Sequence, residues 1–270
     1  MHEDKTTAVF TEDLTIESAC LARAVTITCF LPKDICHPEQ IGLLLINDGQ
    51  NMEELGLAGM LDNLLTAGQI LPLVCVAIHT GKDRKAEYGT EKRADYMGRG
   101  AKAAAYTRFV FDELLPFIHT TYAIESFQEK SFAGFSLGGL SALDIVWNHP
   151  QEFLRAGVFS GSLWWRLKGL EDGYNEETDR IMHMQVKEGG FYPWLKFFFE
   201  TGTQDETMDR NHNGIIDSID DTLGLIDDLV AKGYDRKSDI HYLELADGKH
   251  DIATWARAMP DFLRWGWGRK

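Results

Sequence analysis

Three observations predict a single-domain, doubly wound, mostly parallel α/β sheet for this chain. Short apolar runs alternate with longer segments of helical period. The runs are continuous, as in Leu43-Leu44-Leu45-Ile46, which suits strands covered on both faces. The 270 residues, 44% of them hydrophobic, suffice for one large core. No internal repeat, low-complexity tract or Pro/Gly/Ser-rich linker marks a domain boundary.

Taken in order, the strand candidates are residues 24–31, 42–46, 73–78, 131–134, 156–159, 195–200 and 240–244, each a short apolar run. Helical period covers 56–67, 101–119, 138–148, 221–232 and 252–265. Pro116 falls inside the second helix pattern, where its missing N–H predicts a kink or an end. Sheets of this class place ligand sites beyond the carboxyl ends of their strands, so the loops that follow strands are where functional residues are expected.

Charge and composition narrow the function. The chain carries 27 Lys+Arg against 42 Asp+Glu, a formal charge of −15. Such a surface repels a polyanion, which argues against nucleic acid as a partner. No run of about eighteen apolar residues occurs, so no membrane-spanning helix is expected. The start, Met1-His2-Glu3-Asp4-Lys5, is polar, and the apolar stretch 19–30 carries Arg23, so no secretory signal is expected. A cytoplasmic location follows, or a periplasmic or secreted one if a leader is missing. Cys20, Cys29, Cys36 and Cys75 form no C-x-x-C pair and read as small buried hydrophobes of a reducing compartment. The oligomeric state is left open.

The sharpest local signal is Gly134-Phe135-Ser136-Leu137-Gly138-Gly139. It follows an apolar strand and opens a helix pattern, the context in which G-x-S-x-G forms a nucleophile elbow. A strained turn there projects the Ser136 hydroxyl above the sheet, and the glycines let neighbouring backbone approach. A serine hydroxyl needs a base, and the order expected in this architecture is serine, acid, histidine. His149 closes the elbow helix about three turns from Ser136, too far for contact, and His241 lies inside a strand. His250, in the loop between the last strand and the last helix, is the expected base. Asp205 or Glu206, just past the strand 195–200, would orient it. Asp205 is preferred because it completes the G-x-x-D spacing from Gly202. Two backbone N–H groups would hold the oxyanion, those of Leu137 and of Gln50 in Asn47-Asp48-Gly49-Gln50-Asn51.

A second motif, an insert at about 207–221, follows the acid. From Asp209, oxygen-bearing side chains fall at loop positions 1, 3, 5, 9 and 12, with Gly214 at position 6. This is the register of an EF-hand-like calcium loop. Its ligands would be Asp209, Asn211, Asn213, the carbonyl of Ile215, Asp217 and Asp220. A structural Ca2+ there would brace the segment carrying Asp205. Cytosolic calcium is scarce, so the motif pulls against a cytoplasmic location.

Taken together, the residues resemble the esterase family of α/β-hydrolases that contains enterochelin esterases, S-formylglutathione hydrolases (esterase D-like), feruloyl esterases and mycolyltransferases. The resemblance runs from about 25 to 265. Its marks are Asn47-Asp48-Gly49-Gln50, Glu113-Leu114-Leu115-Pro116, the elbow, Val158-Phe159-Ser160-Gly161-Ser162, and Gly248-Lys249-His250 followed by Trp255. It implies an α/β-hydrolase fold and hydrolysis of a small-molecule ester through Ser136, Asp205 and His250 with no catalytic cofactor, most like the enterochelin-esterase branch. The calcium-like insert departs from that plan. The competing classes are an acyltransferase with the same triad and a non-catalytic carbohydrate-binding module on the same fold.

Two features bear on the substrate. Trp164 and Trp165 follow a strand at the carboxyl edge, where exposed rings would stack on an aromatic acyl group or a sugar. The segment 82–102 holds Lys82, Arg84, Lys85, Lys92, Arg93, Arg99 and Lys102 against four acids, and reads either as a steering patch for an anionic substrate or as a self-paired loop. Tyr88 and Tyr96 in the same segment are further pocket candidates.

Overall fold

Leu43 and Leu45 point to one face of their strand and Leu44 and Ile46 to the other, and each pair joins a separate buried cluster. The apolar run therefore serves two cores. The computed structural model, which describes residues 7–33 and 40–269, arranges both cores about one eight-stranded sheet. The strands are β1 (Val9–Ser18), β2 (Arg23–Pro32), β3 (Gly42–Asn47), β4 (Leu73–Ile78), β5 (Glu129–Phe135), β6 (Arg155–Phe159), β7 (Lys196–Gln204) and β8 (Ile240–Lys249), in spatial order β1-β2-β4-β3-β5-β6-β7-β8. β1 with β2 and β2 with β4 are antiparallel, and the remaining neighbours are parallel.

The helices are α1 (Met52–Leu55), α2 (Leu57–Thr66), α3 (Arg84–Glu87), α4 (Ala103–Arg108), α5 (Leu115–Tyr122), α6 (Leu137–Asn148), α7 (Glu176–Asp179), α8 (Ile181–Glu188), α9 (Asp217–Lys232) and α10 (Ile252–Trp267). Side chains of α4, α5, α6, α8 and α9 fill one core, among them Tyr106, Ile118, Leu140, Met182 and Leu225. Those of α1, α2 and α10 fill the other, including Met52, Leu57, Leu61, Ala258 and Phe262. Helices on both faces of a mostly parallel sheet are the predicted architecture. No helix among the described residues is long and apolar enough to cross a membrane.

The structure departs from expectation in several places, the one-turn helices α3 and α7 among them. β1 is unannounced, because an edge strand with exposed residues on one face carries no continuous apolar run; its ladder with β2 spans Val9↔Pro32 to Ser18↔Arg23. α8 is likewise absent from the sequence reading. Pro116 does not end its helix: a π-helical segment, Phe109–Leu114, widens the turn ahead of it and α5 continues to Tyr122. Finally, Cys29 and Cys75 are buried as expected, but Cys20 is only half-buried, and Cys36 lies outside the described residues.

Candidate active site

Ser136 stands between β5 and α6 with φ 53 and ψ −121, a conformation L residues avoid. The glycines around it are there for contact. A Cβ on Gly134 would lie 2.4 Å from Gly138 O, and one on Gly139 would lie 2.9 Å from Gly134 O. Turn and helix therefore touch through bare backbone. Ser136 N–H donates to Phe159 O at 2.8 Å, tying the elbow to the end of β6. The half-buried Ser136 Oγ faces Ser162 Oγ at 3.4 Å.

Acid and base are brought together by strands longer than their apolar cores suggest. β7 and β8 stay paired through Gln204↔Lys249, past a bulge between Gly202 and Gln204. Asp205 and His250, the next residue on each strand, leave the sheet side by side. Two further glycines permit this: a Cβ on Gly202 would stand 2.3 Å from Gly248 C and 2.8 Å from Asp205 Oδ1. Asp205 N–H turns back to Gly202 O at 3.2 Å. The His250 ring lies edge-on to Trp255, with centroids 5.4 Å apart, and Trp255 stacks on Phe135 at 4.9 Å. An aromatic bridge thus runs from the histidine to the residue preceding Ser136.

Among the described residues no hydrogen bond yet joins Ser136 to His250 or His250 to Asp205, and both Asp205 oxygens are buried without a partner. Such contacts commonly tighten only around substrate. Burial raises the Asp205 pKa, while the Gly202 amide, the Ser160 hydroxyl and the field of His250 draw it back. Desolvation by the surrounding protein lowers the His250 pKa, although the residue as a whole is exposed; the Asp205 charge opposes that shift and Arg84 reinforces it.

The loop after β3 packs on the elbow. Asn47 Nδ2 donates to Gly138 O at 2.7 Å, and Asp48, at φ 64, sits where a Cβ on Gly138 would meet its Oδ2 at 2.8 Å. Arg84 grips Asp48 with two hydrogen bonds of 2.7 Å each. Gln50 is exposed on the short turn Gly49–Asn51, and Leu137 opens α6, where its N–H has no intrahelical acceptor.

A cavity of about 240 Å³ has Glu206, the residue after Asp205, in its wall, together with Tyr96, Arg99, Trp164, Arg166 and Met208 among others; Ser136 and His250 do not line it. The tryptophan pair splits. Trp164 is half-buried in the cavity wall, but Trp165 is fully buried, wedged where Cβ atoms on Gly89 or Gly100 would approach it to 2.8 and 2.9 Å. Trp165 is a core residue and corrects the expectation of a second stacking surface. Tyr88 is also fully buried, its hydroxyl accepting from Asp48 N–H at 3.2 Å, whereas Tyr96 is exposed. Within 82–102 Arg99 pairs with Asp95 and Lys102 with Asp83, while Arg84 pairs outside the segment with Asp48 and Glu87 with Arg23.

In the calcium-like loop, Asp209 accepts from Asn213 and Gly214 amides at 3.1 and 2.9 Å, and Asn211 and Asn213 donate to Asp220 at 3.0 and 3.1 Å. Asp217 accepts from Arg210 N–H at 2.8 Å. No cluster of three or more His, Cys, Asp or Glu side chains able to hold a metal occurs among the described residues. His149 pairs with Glu91 at 3.3 Å and His241 stacks on Phe198 at 5.1 Å, both as expected of structural histidines.

Sequence reasoning assigned no role to Ser160, Ser162 or Glu200 and read Arg84 only as part of the charged segment 82–102; all four are now found at this edge of the sheet. Two signals were available: Ser160-Gly161-Ser162 directly follows a strand, and Glu200 is a lone acid ending the apolar run Phe197-Phe198-Phe199.

The family model described as "Putative esterase" matches residues 18–265. The iron(III) enterobactin esterase of Dickeya dadantii (strain 3937) is 28% identical over 237 residues, covering 85% of this chain and 48% of its own. The uncharacterized protein YjcH of Bacillus subtilis (strain 168) is 23% identical over 248 residues, 90% of this chain and 92% of its own. The solved enterobactin esterase FES from Shigella flexneri, in the presence of enterobactin, superposes with a TM-score of 0.71 at 21% identity, over 94% of this chain and 58% of that one. A ferulic acid esterase superposes with a TM-score of 0.70 at 19% identity, over 96% and 97%. The chain spans about half the length of the enterobactin esterases it matches. These structural likenesses show an α/β-hydrolase fold.

Proposed function

The chain belongs to the esterase family, whose model spans nearly its whole length, and from that premise we propose that it is a serine carboxylester hydrolase working through an acyl-enzyme. The observation that carries this reading is the positive φ of Ser136 at the strand–helix junction, strain that a merely structural turn would relieve with glycine. Ser136 Oγ attacks the ester carbonyl as His250 takes its proton. His250 then protonates the departing alkoxide, and water repeats the sequence to release the acid. Partial desolvation by the surrounding protein favours the neutral imidazole, the form a base requires, and the Asp205 carboxylate stabilises the imidazolium that follows. The amides of Leu137 and Gln50 hold the oxyanion, each worth about 3 kcal/mol in the transition state.

The cavity walled in part by Glu206, the chain neighbour of Asp205, supports an aromatic, anionic acyl group. Trp164 and Tyr96 offer ring faces, and Arg166 lies 5.3 Å from the Tyr96 centroid and 5.8 Å from that of Trp164. Relatives solved with 2,3-di-hydroxy-N-benzoyl-serine and a ferulic acid esterase support the same class of substrate.

The decisive measurement is p-nitrophenyl acetate turnover by wild type and Ser136→Ala. The variant is expected to lose at least about a thousandfold in kcat. Equal rates would remove the reading. Asp205→Asn should lose more than Glu206→Gln, and the reverse order would transfer the acid's role.

The loop 209–220 is read as a structural calcium site. Asp209, Asn211, Asn213 and Asp220 already cluster, and an ion would draw in Asp217 in place of its contact with Arg210. Melting with added Ca2+ and with chelator tests this, and an unchanged Tm would exclude a stabilising ion.

A further inference from the structure

The sheet runs β4-β3-β5-β6-β7 past the nucleophile. His79 follows β4, Gln50 follows β3 and Ser136 follows β5, while Trp164 and Glu206 follow β6 and β7. Trp164 and Glu206 wall the cavity already described; Gln50 and His79 wall a second one, of about 430 Å³. Along this edge Ser136 therefore stands between two cavities, and the proposed oxyanion loop borders the larger. Strand register builds one wall of it. Thr11↔Phe30 and Asp13↔Thr28 are cross-strand pairs of β1 and β2, so all four side chains share the face that α1 and α2 cover. Phe30 and Met52 are buried there and make part of the lining apolar. The start of α2 supplies another wall, and a Cβ on Gly56 or Gly59 would meet nothing within 4 Å. Glycine weakens a helix, and Gly59 lies inside α2 with no close neighbour to require it. What its missing side chain preserves is the open space. On the polar side Thr28 Oγ1–H donates to Asp13 Oδ1 at 2.6 Å, so Thr28 Oγ1 accepts from His79 Nε2 at 2.8 Å. His79 Nδ1 has no partner among the described residues. Asp13 and Glu53 add carboxylates, and among the described residues no Lys or Arg lines this cavity.

We propose that this second cavity is the alcohol subsite of the ester and takes a neutral, polyhydroxylated alcohol of the size of glycerol or a sugar. The inference rests on the serine-esterase reading. The carboxylates of Asp13 and Glu53 accept hydroxyl protons and repel an anion. A hydroxyl also suits His79 Nδ1 whether the ring nitrogen donates or accepts. Phe30 and Met52 pack against the C–H groups of the same alcohol, the mixture of apolar wall and few polar groups usual in small-molecule sites. An ester with its acyl group beside Trp164 and its alcohol beside His79 carries its carbonyl across Ser136, within the span of the Gln50 and Leu137 amides.

Vinyl, n-butyl and 1-glyceryl butyrate share an acyl group and differ only in the alcohol. Their kcat/KM values with wild type, Gly59→Leu, His79→Phe and Ser136→Ala test the assignment. Wild type should prefer the glyceryl to the butyl ester. Gly59→Leu fills the cavity and should lower the glyceryl-to-vinyl ratio at least about tenfold, since the vinyl group needs little of the space. Its Tm should not fall, because leucine is the better helix former, and Ala58→Leu on the same wall repeats the obstruction without replacing a glycine. His79→Phe keeps a ring, removes both nitrogens and should lower the glyceryl-to-butyl ratio about three- to tenfold. Equal wild-type values for glyceryl and butyl esters would overturn the proposal, as would ratios that stay fixed in both leucine variants or in His79→Phe. A fall in the ratio of vinyl butyrate to vinyl acetate in Gly59→Leu, with the glyceryl-to-vinyl ratio unmoved, would put the acyl chain here and overturn it as well. If Ser136→Ala is inactive while these ratios stay fixed, only this inference falls; if Ser136→Ala is itself active, the esterase reading falls first.

Discussion

Glu200 is 1% exposed at the end of a run of three phenylalanines, and its neutral state at pH 7 follows from that burial and from the adjacent Asp205. The unfolded chain would ionise the same group above its ordinary value near 4.5, while the folded chain holds the proton to about 8. Between those values the folded state binds the extra proton, so the contribution to stability falls as pH rises, by up to about 1.4 kcal/mol per pH unit. Glu200→Gln keeps the shape and removes the titration. Urea unfolding of both proteins at about pH 5.5 and about pH 7.5 should show the variant gaining on wild type at the higher pH. A difference that does not change with pH would contradict the buried neutral carboxyl. At this scale the elbow was legible, because G-x-S-x-G in a strand–helix context has one backbone solution. Trp165 was not: two adjacent tryptophans look alike in sequence, and only the close approach of Gly89 and Gly100 makes one of them core.

Among the elements, β7 and β8 do most to build the site. Their apolar cores were evident, but the polar extensions through Gln204 and Lys249 read as loop, since ladder hydrogen bonds rather than burial hold them. Those extensions place Asp205 beside His250. The crossing point is the contact between Gly202 and Gly248, so Gly202→Ala should force the strand ends apart. A loss of about 1–3 kcal/mol in stability is expected, with a fall in kcat that exceeds what unfolding explains. Wild-type kcat at a temperature where the variant stays folded would show that the register is not what aligns acid and base. β1 and α8 were missed for a related reason. Both are stabilised by what they pack on, β1 by a ten-residue ladder and α8 by α9, rather than by a strong pattern of their own.

For the molecule as a whole, a formal charge of −15 sets the long-range field, and the seven Lys and Arg of 82–102, set against four acids in the same segment, counter little of it. Raising salt from about 10 mM to about 150 mM shortens the Debye length from about 30 Å to about 8 Å. The kcat/KM for a carboxylate-bearing aryl ester should therefore rise relative to that for its neutral analogue. A fall would mean that the guanidinium groups of the cavity govern the encounter. By itself the sequence determined the sheet class and the elbow, because these depend on periodicity and on backbone that only glycine permits. Only the tertiary structure decided which tryptophan faces the cavity and that Ser160 joins Trp255 to Glu200. Those outcomes depend on burial and on contacts between strands far apart in the chain, and no local pattern encodes either.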